Sequence, residues 1–325
     1  MHRRALLSAG LTGLAATAGC LGPGFGSGCT RGTDFRLQTT SDADTADAAS
    51  DPLETLSPPE RTAVDDARRG AHPTLWVPDT GSEPFEDADY VATGGAYLTV
   101  ETSIVETVQR TGYDISLDYD AEATVPADAR RVAFADLPAV DRAALFAALG
   151  YPNTRELDRF DRARAISIGG TLAYPDDEAE ARSELVPDPN YDYVRIRGSE
   201  FRLQVTDTRT VTMERRRIET RTVAESVADF AAHVHERRGI DLDEHDLSAA
   251  QREIIESAIE DGYDECAPYS EPYADLQRLF GRQVTRVTDD GDGVVSTPGE
   301  DAPEEIDYAN YENQWYAVSM SEYVA

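Results

Sequence analysis

Leu247–Tyr263 reads LSAAQREIIESAIEDGY, and its pattern occurs two more times in the chain. Leu56–Gly70 is LSPPERTAVDDARRG, and Leu137–Tyr151 is LPAVDRAALFAALGY. Each copy has Leu, then Ser or Pro, then an arginine: Arg61, Arg142 and Arg252. Each has a later alanine (Ala67, Ala148, Ala258) and a closing glycine (Gly70, Gly150, Gly262). Ser57 with Glu60, and Ser248 with Gln251, fit a capping box, in which the serine accepts from the N3 amide and the longer side chain reaches back. Pro58 suits a first turn that needs no N–H. Leu247, Ala250, Ile254, Ile255, Ala258 and Ile259 recur at helical spacing. Each copy is therefore expected to begin with a short amphipathic helix ended by a glycine cap. Pro138 replaces serine in the middle copy and weakens that cap.

A second pattern follows each helix. Tyr193–Gln204 (YVRIRGSEFRLQ) aligns with Tyr308–Ser319 (YANYENQWYAVS) without a gap, and Tyr90–Val100 (YVATGGAYLTV) aligns after one deletion. An aromatic start, a Gly or Asn turn and an alternating finish predict a β-hairpin. Two motifs recurring in one order predict an α+β fold of about three tandem units, each a capped helix followed by a hairpin or meander. The expected boundaries are 53–126, 127–223 and 224–325, the last with an extra helix over Thr222–Arg238. Strands are expected near 89–105 and 111–124 in the first unit, and 191–206 and 209–223 in the second.

The chain opens MHRRALLSAGLTGLAATAGCLG. Arg3-Arg4, a mild apolar run and small residues before Cys20 predict a signal peptide over 1–19 of the twin-arginine type. The apolar run is far short of the ~20 residues of a spanning helix. Cys20 after Ala18-Gly19 fits a lipidation site, although Thr17 departs from the usual leucine. Residues 20–52 are poor in large apolar side chains and are expected to be a flexible tether. The formal charge is −32, and the chain has no lysine, so every basic side chain is arginine. Loss of residues 1–19 removes Arg3 and Arg4 and takes the charge to −34. Such acidity predicts a protein adapted to high salt and excludes a general nucleic-acid footprint. Arg215-Arg216-Arg217 is a local exception, flanked by Glu214 and Glu219. An exported chain permits disulfides, so Cys29 and Cys266 could bridge the tether to the third unit; two independent thiols is the preferred reading.

Signatures of chemistry are sparse. His233 and His235 lie two apart on a predicted helix and face different ways; solvated helix ends describe them. Asp290 and Asp292 take the third and fifth positions of a calcium-loop pattern. Thr288 and Gly299 break that pattern at its first and last positions, so an acidic turn is the plainer reading. No G-x-S-x-G and no Cys–His nucleophile pattern is present. Trp315-Tyr316 reads as cross-strand packing. No cofactor is implied.

Arg3-Arg4, Ala18-Gly19-Cys20, the lysine-free acidic chain and the repeated Leu-Ser-x-x-x-Arg helix together resemble exported lipoproteins of haloarchaea that are uncharacterised. Tyr193-Val194-Arg195 to Gly198, followed by Phe201, is similar to a small domain of unknown function in their secreted proteins. The resemblance implies a lipid anchor on the outer face of the cell membrane and carries no activity. The expected role is a non-catalytic binding or envelope protein with a surface partner. The alternative is an extracellular hydrolase using acidic residues of the loops 152–190 or 264–306.

Overall fold

The computed structural model describes residues 31–81, 83–86, 88–152, 164–282, 284–287, 293–296 and 306–324. The fold is α+β. It begins earlier than the composition predicts. The supposed tether contains strand β1 (Arg31–Thr39), helix α1 (Asp42–Ala49) and the short strand β2 (Asp51–Pro52). Two apolar side chains are enough because β1 alternates, with Phe35 and Leu37 turned inward. Helix α1 then starts at a capping box, where Ser41 Oγ accepts from Asp44 N and Asp44 accepts from Ser41 N.

The chain forms two compact units. The larger holds Gln38–His245 and Ile306–Ala317; the smaller draws on Met1–Leu37, Asp246–Glu305 and Val318–Ala325.

In the larger unit, β2 runs through a 3₁₀ turn (Leu53–Thr55) into α2 (Pro58–Arg68). After β3 (Thr74–Pro78), β4 (Val91–Thr93) turns into β5 (Ala96–Asp120). The sequence then offers β6 (Arg131–Ala133), a 3₁₀ turn (Phe134–Asp136), α3 (Ala139–Ala148), β7 (Ala165–Ala173) and the five-residue helix α4 (Asp177–Ala181). A second hairpin follows, β8 (Tyr193–Ile196) into β9 (Ser199–Ala224). Helix α5 (Val227–Arg238), capped by Ser226, leads to β10 (Gly239–Asp241) and a 3₁₀ turn (Leu242–Glu244). The sheet order is β2-β4-β5-β9-β8-β6, with β3 also on β9 and β7 also on β5. Strands β2 and β4 are parallel, as are β6 and β8, while the hairpins and the central β5–β9 pair are antiparallel.

The stretches 89–124 and 191–223 each hold a short strand followed by one long strand, β4 with β5 and β8 with β9, rather than two strands of similar length. The gaps expected between 105 and 111 and between 206 and 209 lie inside β5 and β9, which pair from Tyr97↔Ala224 to Asp118↔Arg202. Gly112 is needed for packing: a Cβ there would meet Thr171 Cγ2 and Val211 Cγ1 at 2.7 Å each. Bulges between Ile104 and Glu106 and between Asp114 and Ile115 take up the irregularity. On one part of the sheet Leu117, Leu145, Leu172, Leu185, Val194 and Phe201 form a core. On another, Leu56, Val64, Val91, Leu98 and Ile218 form a second. A third joins α1 and α5 through Ala46, Phe230, Val234, Tyr97 and Tyr308, with Tyr97 stacked on Phe230 at 4.0 Å.

Two buried carboxylates tie helix starts to later segments. Glu60 accepts from Ser57 N and Oγ through Oε2, and from Phe85 N through Oε1. Asp141 accepts from Tyr174 Oη at 2.7 Å and from Glu184 N at 2.9 Å. Pro138 caps α3 without a side-chain hydrogen bond, as the sequence predicts, and Asp141 anchors that helix start to the later segment.

In the smaller unit β1 pairs antiparallel with β11 (Tyr263–Cys266) and lies between it and β15 (Gln314–Val324). Helix α6 (Ala249–Glu260) has the expected capping box and buries Ile254, Ile255 and Ala258, while Ala250 is exposed. Helix α7 (Glu271–Leu279) brings Tyr273 to Phe35, and Phe280 follows at 5.7 Å from the same ring. Strands β12 (Val284–Val287) and β13 (Gly293–Ser296) form a hairpin. Cys266 is disulfide-bonded, which corrects its reading as an independent thiol; the other cysteines, Cys20 and Cys29, lie outside the described residues. Back in the larger unit, β14 (Tyr308–Tyr311) is parallel to β10 and antiparallel to the start of β15.

Candidate functional site

Helix α3 creates the site by having two apolar sides. Ala144, Leu145, Ala147 and Ala148 fill its buried face. Phe146 and Leu149 are left half-buried on another. Phe134 meets Phe146 edge to face at 5.2 Å. Arg142 Nη1 donates to the carbonyls of Ala135 and Leu137, which holds the 3₁₀ turn against the helix. Phe134, Phe146 and Leu149, with Pro58, Pro152 and Ile196, wall a cavity of ≈ 460 Å³ in the larger unit. That lies within the ~300–1,000 Å³ of small-molecule sites.

Its polar groups are three arginines: Arg61 on the second turn of α2, Arg195 on β8, and Arg197 in the turn after it. Strand alternation exposes Arg195 between buried Val194 and Ile196. Arg197 (φ 50°) and Gly198 (φ 105°) both have positive φ, as the two-residue turn between Ile196 and Ser199 requires. No carboxylate lines the cavity among the described residues. Elsewhere the chain pairs many of its arginines: Arg130 with Asp192 at 2.9 Å, Arg216 with Glu83 at 2.7 Å and Glu214 at 2.6 Å. Arg61 and Arg195 make no side-chain hydrogen bond or ion pair among the described residues.

No family model matches this chain, and no curated protein or solved structure gives a significant match. The chemistry must be read from the site itself. Guanidinium groups stay protonated and act neither as bases nor as nucleophiles. With apolar walls around them they can hold an anion and exclude water, but they supply no proton transfer near neutral pH.

The residues singled out in the sequence lie elsewhere. Arg3, Arg4, Cys20, Asp290 and Asp292 are outside the described residues. Among the described residues no cluster of three His, Cys, Asp or Glu could hold a metal, and no helix is long and apolar enough to cross a membrane. His233 and His235 do face different ways, but not into solvent as expected. His233 Nε2 meets Tyr90 Oη at 3.2 Å. His235 is buried, stacks on Trp315 at 3.9 Å and contacts Thr45 Oγ1 at 3.2 Å. Burial holds its pKa below the usual histidine value, against a smaller opposing pull from Asp42. Thr45 is fully buried, so the pair is structural. Trp315 stands opposite Asn310 on β14. In the 152–190 loop Glu180 accepts from Tyr113, whose pKa is pushed up to about 12 chiefly by that bond, and Glu184 accepts from Tyr191.

The sequence reading used Arg61 and Arg195 as markers of a repeated framework and missed their meeting. The usable signal was Arg-x-Arg at a hairpin turn in a strongly acidic chain, beside a helix with apolar residues outside its main stripe.

Proposed function

We propose that the chain is an exported, lipid-anchored protein that binds a ligand in the arginine-rimmed cavity and does not transform it. Arg3-Arg4 and Ala18-Gly19-Cys20 support export and anchoring at the outer face of the membrane. The observation that carries the binding reading is the lining itself: apolar walls and guanidinium groups, without a general acid, base or nucleophile among the described residues. The acidic surface supports work in high salt.

The same reading takes the fold as three tandem copies of one unit. Its support is a recurring order of parts. A short strand and a 3₁₀ turn precede each repeated helix: Leu53–Thr55, Phe134–Asp136 and Leu242–Glu244. The short strand is parallel to the first strand of the later hairpin each time: β2 with β4, β6 with β8, β10 with β14. Each hairpin turns through two residues of positive φ: Gly94-Gly95, Arg197-Gly198 and Glu312-Asn313. Only the middle copy has arginines in and just before its hairpin turn, Arg197 and Arg195, so the cavity joins a feature of that copy to Arg61 of the first.

Ligand-observed NMR with a mixture of small neutral apolar fragments, some carrying ester groups, tests the reading. Binding is expected in the mature chain in molar KCl and is lost in Ala135→Trp, which fills the cavity. Absence of binding, binding that survives Ala135→Trp, or hydrolysis of the esters refutes it.

A further inference from the structure

We infer that the cavity's ligand is a small amphiphile with one carboxylate head and an apolar tail, the head held by Arg61 and Arg195. This rests on the binding reading above and adds the ligand's chemistry. The two halves of the site make different demands. Phe134, Phe146 and Leu149 offer a wall that gains by covering apolar surface. Arg61 and Arg195 hold two permanent charges beside that wall without a protein partner among the described residues. An inorganic anion answers only the arginines and leaves the wall in water. A neutral apolar ligand answers only the wall and takes water from the guanidinium groups without replacing its hydrogen bonds. A cation meets repulsion at this mouth, although the chain as a whole carries −32.

The head group is a carboxylate because its two oxygens match the planar fork of a guanidinium in parallel hydrogen bonds. That match also suits high salt. At about 1 M the Debye length is only ~3 Å, so long-range steering is lost and only contact pairs survive. A geometry built on direct hydrogen bonds keeps its selectivity where a diffuse positive field does not. The tail is short, because ≈ 460 Å³ of cavity must hold all of it.

Dansylglycine, a fluorescent carboxylate with a compact apolar naphthyl tail, and its uncharged methyl ester test this. Both are titrated into the mature chain in molar KCl. The carboxylate is expected to bind at least ~5-fold more tightly than the ester, since hydrogen bonds to charged groups contribute strongly. Arg61→Gln and Arg195→Gln should each weaken the carboxylate by a similar factor and leave the ester unchanged. Ala135→Trp should block both, with circular dichroism confirming that all three variants are folded. Equal affinity for acid and ester, or arginine variants without effect, overturns the head-group assignment while the cavity reading stands. Binding of both probes that survives Ala135→Trp places them elsewhere and overturns the cavity reading too.

Discussion

Glu60 should be among the costliest side chains to lose. It is 4% exposed, and both carboxylate oxygens are occupied. Oε2 takes hydrogen bonds from Ser57 N at 3.1 Å and Ser57 Oγ at 2.7 Å; Oε1 takes one from Phe85 N at 2.8 Å. Glu60→Ala removes all three bonds and leaves two main-chain N–H groups without these acceptors, at about 1–3 kcal/mol each. With the lost packing of the side chain, a total of about 3–6 kcal/mol is expected, a large part of the ~5–15 kcal/mol of a typical domain. Glu60→Gln keeps the shape but turns one acceptor into a donor facing a donor, so about 2–3 kcal/mol is expected. Gln251 provides the control. It occupies the same place in the α6 capping box, on a helix start whose Ser248 is exposed, and accepts from Ser248 N at 2.8 Å. Gln251→Ala should cost about 0.5–1 kcal/mol. Urea melts in molar KCl measure all three. If Glu60→Ala costs no more than Gln251→Ala, the buried carboxylate does not tie the start of α2 to Phe85, and the reasoning fails.

Burial depresses the pKa of His235, so the unfolded chain binds the proton more readily. Stability should be complete above the ordinary histidine value of about 6.5 and fall as pH drops below it; His235→Gln should flatten that slope in melts between about pH 5 and 7. For the cysteines, thiol labelling of the non-reduced protein should find Cys266 reactive in Cys29→Ser and protected in Cys20→Ser, while Cys20→Ser alone is released from membranes; the opposite pattern would put the bridge on Cys20 and reject the anchor. The formal charge of −32 lies on a chain with two acids for each base. The melting temperature should therefore rise as the Debye length shrinks from ~30 Å at about 0.01 M toward ~3 Å at about 1 M; a flat or falling series would reject the high-salt reading.

Local chemistry made much of the fold readable. The Ser57 and Ser248 caps, the burial of Ile254, Ile255 and Ala258 on α6 and the hairpins at Gly94-Gly95 and Asn313 follow from neighbouring residues and are found, while Ala250 of the same expected face is exposed. The misreadings share one cause. Residues 106–110 look like a break between two strands until β9 pairs with them along their length. Residues 31–49 look too polar to fold until alternation puts Phe35 and Leu37 on one side. His235 looks solvated until Trp315, far along the chain, covers its ring. The cavity had the least local signal, because its parts come from α2, a 3₁₀ turn, α3 and a hairpin, each with its own local reason to exist.

The β5–β9 pair has a kinetic consequence. Its partners lie roughly a hundred residues apart in the chain, and pairings of that separation form slowly because a long loop must close first. While the chain is being synthesised, β5 emerges with Ile104 and Val105 on its open surface and waits for Ser199–Ala224. A β-branched strand waiting in this way invites pairing with other chains. Glu101 and Glu106 lie within that stretch, and their repulsion between neighbouring chains guards it until the correct partner arrives. Some of the acidity of this sequence therefore protects the nascent chain, before any folded surface exists to be hydrated.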